Sequence, residues 1–157
     1  MSENSRKAIH YLKYAAHLNY PKAQYNLGKI YFYGEYLDQD INKAIHYFKK
    51  AANQNYPNAQ CNLGDIYLYG KYLDQDINKA INYFELAANQ NYSTAQNYLG
   101  EIFFEGKFVP KNINKAIQYF IQAANQNNLN AQNYLGEIYF EENMQIKTLI
   151  KQFIILH

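Results

Sequence analysis

Asn58-Ala59-Gln60-Cys61-Asn62-Leu63-Gly64-Asp65-Ile66-Tyr67-Leu68-Tyr69-Gly70, followed by Asp76-Ile77-Asn78-Lys79-Ala80-Ile81-Asn82-Tyr83-Phe84 and Ala87-Ala88, is the stretch whose reading decides the fold. In its first part Ala59, Leu63, Ile66 and Tyr67 fall at i, i+4, i+7 and i+8, the spacing that gathers side chains on one face of a helix. The second part places Ile77, Ala80, Ile81, Phe84, Ala87 and Ala88 at similar intervals, so the unit reads as two amphipathic helices.

The same unit recurs along the chain. Lys7-Ala8-Ile9 returns as Lys43-Ala44-Ile45, Lys79-Ala80-Ile81 and Lys115-Ala116-Ile117, each 36 residues after the last. Ala23-Gln24 with Leu27-Gly28 returns at the same step through Ala59-Gln60, Ala95-Gln96 and Ala131-Gln132, each with its Leu-Gly. Self-similarity at this period marks a stacked helical-repeat array, in which no unit can bury its apolar face alone.

Punctuation divides the unit the same way. Asn4, Asp40, Asp76, Asn112 and Thr148 share one repeat position, and their short side-chain oxygens suit the first N–H groups of a second helix. Gly34, Gly70 and Gly106 stand where the first helix ends, and Pro21 and Pro57 near where it begins. Gly28 and its equivalents fall mid-helix, at a cost of about 1 kcal/mol each against alanine. Close approach of neighbouring backbones is the expected compensation, rather than a phosphate loop.

The combined Ala-Gln, Leu-Gly, Tyr, Gly, Lys-Ala and Ala-Ala pattern, from about Asn4 to about Glu141, resembles the Sel1-like repeat, a longer-looped relative of the tetratricopeptide repeat. The resemblance implies an all-α, right-handed solenoid of antiparallel helix pairs that acts as an adaptor or scaffold. A single domain over 1–157 is expected, with a leading helix at 4–18 and repeats at about 20–55, 56–91, 92–127 and 128–157.

There are departures from the family pattern. Asn19, Asn55, Asn91 and Asn127 stand where the family usually has glycine; Asn tolerates a left-handed turn. The Gly-Val-Pro loop survives only as Phe108-Val109-Pro110. In the last copy Glu142 replaces the helix-ending glycine, and 149–157 reads as a degenerate closing helix. Its apolar face offers a second reading, self-association.

Comparison of the copies separates packing positions from free ones. Three positions vary at four-residue steps of the first helix and so share a face: Tyr25, Cys61, Asn97 and Asn133; Lys29, Asp65, Glu101 and Glu137; Tyr33, Tyr69, Glu105 and Glu141. Stacked units would line them along a concave groove, the surface on which relatives in the tetratricopeptide group hold ligands. Aromatic residues dominate its N-terminal part and carboxylates its C-terminal part, a pattern suited to a protein or peptide with a basic segment. A merely solvated charged face is the plainer alternative.

Other function classes find less support. A net charge of +2 supplies no global field for nucleic acid or an anionic membrane. Met1 to Arg6 lacks the apolar core of a signal peptide, and no stretch has the roughly 20 apolar residues that span a bilayer; as written the chain stays in the cytoplasm unless a specialised export route exists. His10 and His46 share a repeat position, but Asn82 and Gln118 follow them, which is poor ground for a metal site, and no cofactor is implied. Asn91-Tyr92-Ser93 is a glycosylation acceptor only in a secretory pathway. Nothing assembles a nucleophile, base and orienter. Some cysteine-rich bacterial relatives are credited with β-lactam or cell-wall amide hydrolysis, but those are disulfide-laced, and Cys61 is alone here.

Overall fold

A computed structural model describes residues 2–155, with side-chain surroundings through residue 147. Among the described residues the regular structure is entirely helical: α1 (Glu3–His17), α2 (Pro21–Tyr33), α3 (Ile41–Ala52), α4 (Pro57–Tyr69), α5 (Ile77–Ala88), α6 (Ser93–Glu105), α7 (Ile113–Ala124) and α8 (Leu129–Ile155). The chain falls into two compact units, Met1–Ala95 and Gln96–His157. In the first unit α2 packs on α1, α3 on α2, α4 on α3 and α5 on α4, and in the second α8 packs on α7; the fold is an all-α solenoid of helix pairs.

The expected punctuation is present at most boundaries. Asp40, Asp76 and Asn112 precede α3, α5 and α7, and each accepts a hydrogen bond from the backbone N–H three residues on, at 2.9, 3.0 and 2.9 Å. These bonds, with the salt bridges to Lys43 and Lys79, hold the Asp40 and Asp76 carboxyls below the usual carboxylate range. The two helix starts are therefore supported above the ordinary carboxylate pKa and lose that support as pH falls through the lowered values. Gly70 ends α4 at φ +65°, and Asn55 turns left-handed at φ +58° after α3.

Two boundaries differ from expectation. Asn4 lies inside α1, whose cap is Ser2, accepting from the Ser5 N–H at 3.2 Å. Thr148 lies inside α8, because Glu142 cannot turn left-handed as cheaply as glycine and the helix continues to Ile155. Residues 149–155 therefore continue α8 rather than starting the separate closing helix expected there, and 156–157 lie outside the described residues. The apolar face proposed for self-association lies outside the residues whose side chains are described.

Mid-helix glycines serve ring packing rather than backbone approach alone. A Cβ on Gly28 would stand 2.7 Å from the Phe48 ring, and one on Gly64 2.7 Å from the Phe84 ring; Gly100 meets Phe120 in the same way. The three rings are fully buried, each filling the notch that its glycine leaves.

Glutamines lock the repeats together. Gln24 and Gln60 are 0% exposed and Gln96 1%. Their side-chain carbonyls accept from Gln54, Gln90 and Gln126 at 2.7, 2.8 and 2.7 Å. In the first unit Gln24 and Gln60 also donate to the Ala16 and Ala52 carbonyls at 3.2 and 3.3 Å, satisfying backbone groups at the ends of α1 and α3. A buried amide costs little only when both ends are bonded, which explains why glutamine recurs among apolar neighbours.

Candidate functional site

The twelve residues picked out by variation between copies divide into buried and accessible sets. In the first unit Cys61 is 3% exposed, and burial first, then the Asp65 charge, pushes its thiol pKa up to about 12. Tyr25 packs on Phe48 and Tyr56, with ring centroids 5.8 and 5.3 Å away. Burial, followed by the nearby Tyr92, Tyr56 and Tyr33 hydroxyls, raises its own pKa to about 12. At Tyr25 and Cys61 the variation therefore reflects alternative packing, not freedom. Tyr33 and Tyr69 are exposed, Lys29 is exposed with its Nζ 6.0 Å from the Tyr25 ring centroid, and Asp65 is half-buried.

A thiol with so high a pKa has almost no thiolate at neutral pH, and burial leaves it little contact with solvent. Cys61 in the folded chain is expected to react with a disulfide reagent many-fold more slowly than after denaturation. A native rate equal to the denatured one contradicts this burial.

In the second unit two Asn–Glu pairs occupy equivalent turns of α6 and α8. Asn97 Nδ2 donates to Glu101 Oε1 at 2.7 Å, and Asn133 Nδ2 donates to Glu137 Oε1 at 2.7 Å. Asn97 is 6% exposed, and its Oδ1 has no hydrogen-bond partner among the described residues. Glu101 is half-buried. Burial raises its carboxyl pKa most, Glu105 adds to the rise, and the Asn97 bond partly opposes it.

Glu101 and Glu137 line a common open cavity of about 350 Å³ with Asn130, Asn133 and Tyr134. Among the described residues neither carboxylate has a salt-bridge partner. Glu105 is exposed beside this cavity's Glu101, whereas Glu141 lines a different cavity with Lys111, Phe104 and Ile138. Of the carboxylates picked out in this unit, Glu101 and Glu137 thus line one depression and Glu141 another. Asn130 and Tyr134 were not among the residues picked out, although both positions vary between copies: Lys22, Asn58, Thr94 and Asn130 at one, Asn26, Asn62, Tyr98 and Tyr134 at the other.

The arrangement places two carboxylates, each bonded to an Asn side-chain amide, on one open depression. Among the described residues no three His, Cys, Asp or Glu side chains group as a metal site, and no helix is long and apolar enough to cross a membrane.

Comparison with known proteins matches the chain to the Sel1 repeat over residues 1–20, 21–56, 57–92, 93–128 and 129–147. Among solved structures, a Sel1 repeat protein from Oxalobacter formigenes is similar at 37% identity and TM-score 0.81, over 85% of this chain and 54% of that one. A protective antigen of uropathogenic Escherichia coli strains, displaying an SLR fold, is similar at 35% identity and TM-score 0.81, over 86% and 29%. Helicobacter pylori cysteine rich protein B is similar at 29% identity and TM-score 0.64, over 84% and 95%. The chain thus spans about half the length of the first of these and under a third of the second. No curated protein matches.

Proposed function

The chain belongs to the Sel1 repeat family, and from that premise we propose that it is a non-catalytic adaptor that takes a basic segment of a partner protein at the Glu101–Glu137 cavity. The fold of this family is commonly a protein-interaction module and generally non-catalytic. The observation that carries the reading is a half-buried carboxylate, Glu101, that lines an open cavity with a second carboxylate and has no described cation beside it. Burial without a counter-charge is costly, and an incoming guanidinium or ammonium would relieve that cost.

The test uses short arginine-bearing peptides and fluorescence anisotropy. Glu101→Lys with Glu105→Lys is expected to abolish binding at low salt, and Glu101→Gln to weaken it at least about tenfold, the size of a lost charge-assisted bond. Unchanged affinity in both variants removes the proposal.

The pH dependence has a definite sign. Cation binding needs the ionised carboxylate, and Glu101 protonates at a higher pH than an ordinary glutamate. Affinity should therefore fall on acidification earlier than an ordinary carboxylate would dictate, and Glu101→Gln should remove that early phase.

A further inference from the structure

Each complete helix pair is closed by the same contacts. Tyr31 stacks on Tyr47 at 5.9 Å and 3°, Tyr67 on Tyr83 at 5.9 Å and 7°, and Phe103 on Tyr119 at 6.1 Å and 8°. A lysine crowns each stack: Lys43, Lys79 and Lys115 lie 5.3, 5.5 and 4.0 Å from the ring centroids of Tyr31, Tyr67 and Phe103. Beneath the stack, the second helix's phenylalanine fills the first helix's glycine notch.

Two faces of the chain carry one half of this junction each. α8 begins as a first helix, with Gly136 and Tyr139 at the glycine and stacking positions. Gly136 is exposed and a Cβ there would meet no described atom within 4 Å; Tyr139 is 50% exposed. α1 is a second helix, with Lys7, Ala8, Tyr11 and Leu12 at the lysine, alanine, stacking and ring positions. Ala8 is exposed although Ala44, Ala80 and Ala116 are 0% exposed, and Tyr11 is 69% exposed. Ala8 and Leu12 line an apolar groove of about 300 Å³ with Ile30 and Tyr36.

We propose that a second copy of this chain fills the vacancy, its α1 docking on α8 as α3 docks on α2. Tyr11 of the second copy stacks on Tyr139, its Lys7 crowns that stack, and its Leu12 covers Gly136. The surfaces differ, so the contact is heterologous and builds an open row rather than a closed pair. Two substitutions make the junction weaker than the internal ones. Leu12 fills less of the notch than phenylalanine, and Leu18 stands where Gln54, Gln90 and Gln126 donate to a buried glutamine, leaving Gln132 without that bond. The association is accordingly a transient one. It uses none of the residues of the Glu101–Glu137 cavity except through the shared helix α8.

Light scattering of the full 157-residue chain across a dilution series tests this. Wild-type mass should rise above the single-chain 18.5 kDa with concentration. Ala8→Arg blocks one face and Gly136→Arg the other, so each variant alone should remain at single-chain mass. An equimolar mixture of the two should form a two-chain species and nothing larger, since one variant retains a free α8 and the other a free α1. Wild-type protein that stays single at every concentration, association that persists in either variant, or a mixture that does not pair overturns the proposal. Thermal melting by circular dichroism adds a further check. Both variants should melt close to wild type at low concentration, whereas a large drop for Gly136→Arg would mean that residues of the same chain cover that face, and would also overturn it.

Discussion

Phe84→Ala is expected to lower the unfolding free energy by about 3–5 kcal/mol, the range for emptying a fully buried aromatic site. Phe84 is 0% exposed and lies against Gly64, which has no side chain to fill the space the ring would leave. Set against the roughly 5–15 kcal/mol of a typical domain, such a loss leaves little margin. Urea unfolding followed by circular dichroism measures it; a loss under about 1 kcal/mol would show that the ring does not anchor its helix pair. Phe84→Leu should cost much less, because leucine retains most of the apolar contact.

Glycine substitutions are expected to have opposite signs at equivalent positions. Gly64→Ala places a Cβ 2.7, 2.8 and 2.9 Å from three atoms of the buried Phe84 ring, and overpacking of this kind costs about 1–3 kcal/mol. Gly136→Ala meets no described atom and should gain up to about 1 kcal/mol from helix propensity in dilute protein. The Gly64→Ala penalty should shrink in a Phe84→Leu background, a coupling that a double-mutant cycle reads directly. Equal effects at both glycines would mean that the ring-and-notch contact is not what retains them.

The fold was legible in the sequence because repetition averages out local ambiguity. Asp40, Asp76 and Asn112 cap their helices, Gly70 and Asn55 turn left-handed, and both follow from residue chemistry alone. The misreadings came at the ends of the array, where register was extended beyond what the local residues support. Ser2 rather than Asn4 caps α1, and α8 passes through Thr148 without pausing. Mid-helix glycine was correctly expected to serve packing, but that its partner is a phenylalanine 20 residues on is a tertiary fact that no local pattern carries.

The candidate site was only partly legible. Variation between copies identifies positions that do not share one packing role, which is not the same as positions that face solvent. Cys61 and Asn97 vary and are buried; Glu137 varies and is exposed. The invariant glutamines served in the sequence only as repeat markers, and the structure shows them in a buried hydrogen-bond network, as in the contact of Gln60 with Gln90.

Backbone and Asn side-chain amide shifts of the labelled chain, recorded while an arginine-bearing peptide is titrated in, test the binding reading most directly. The Asn97 and Asn133 side-chain amides, each bonded to a cavity carboxylate, should move first and saturate together, with Asn130 and Tyr134 following. Shifts confined to other helices, or none at peptide concentrations that saturate other acidic grooves, would contradict it.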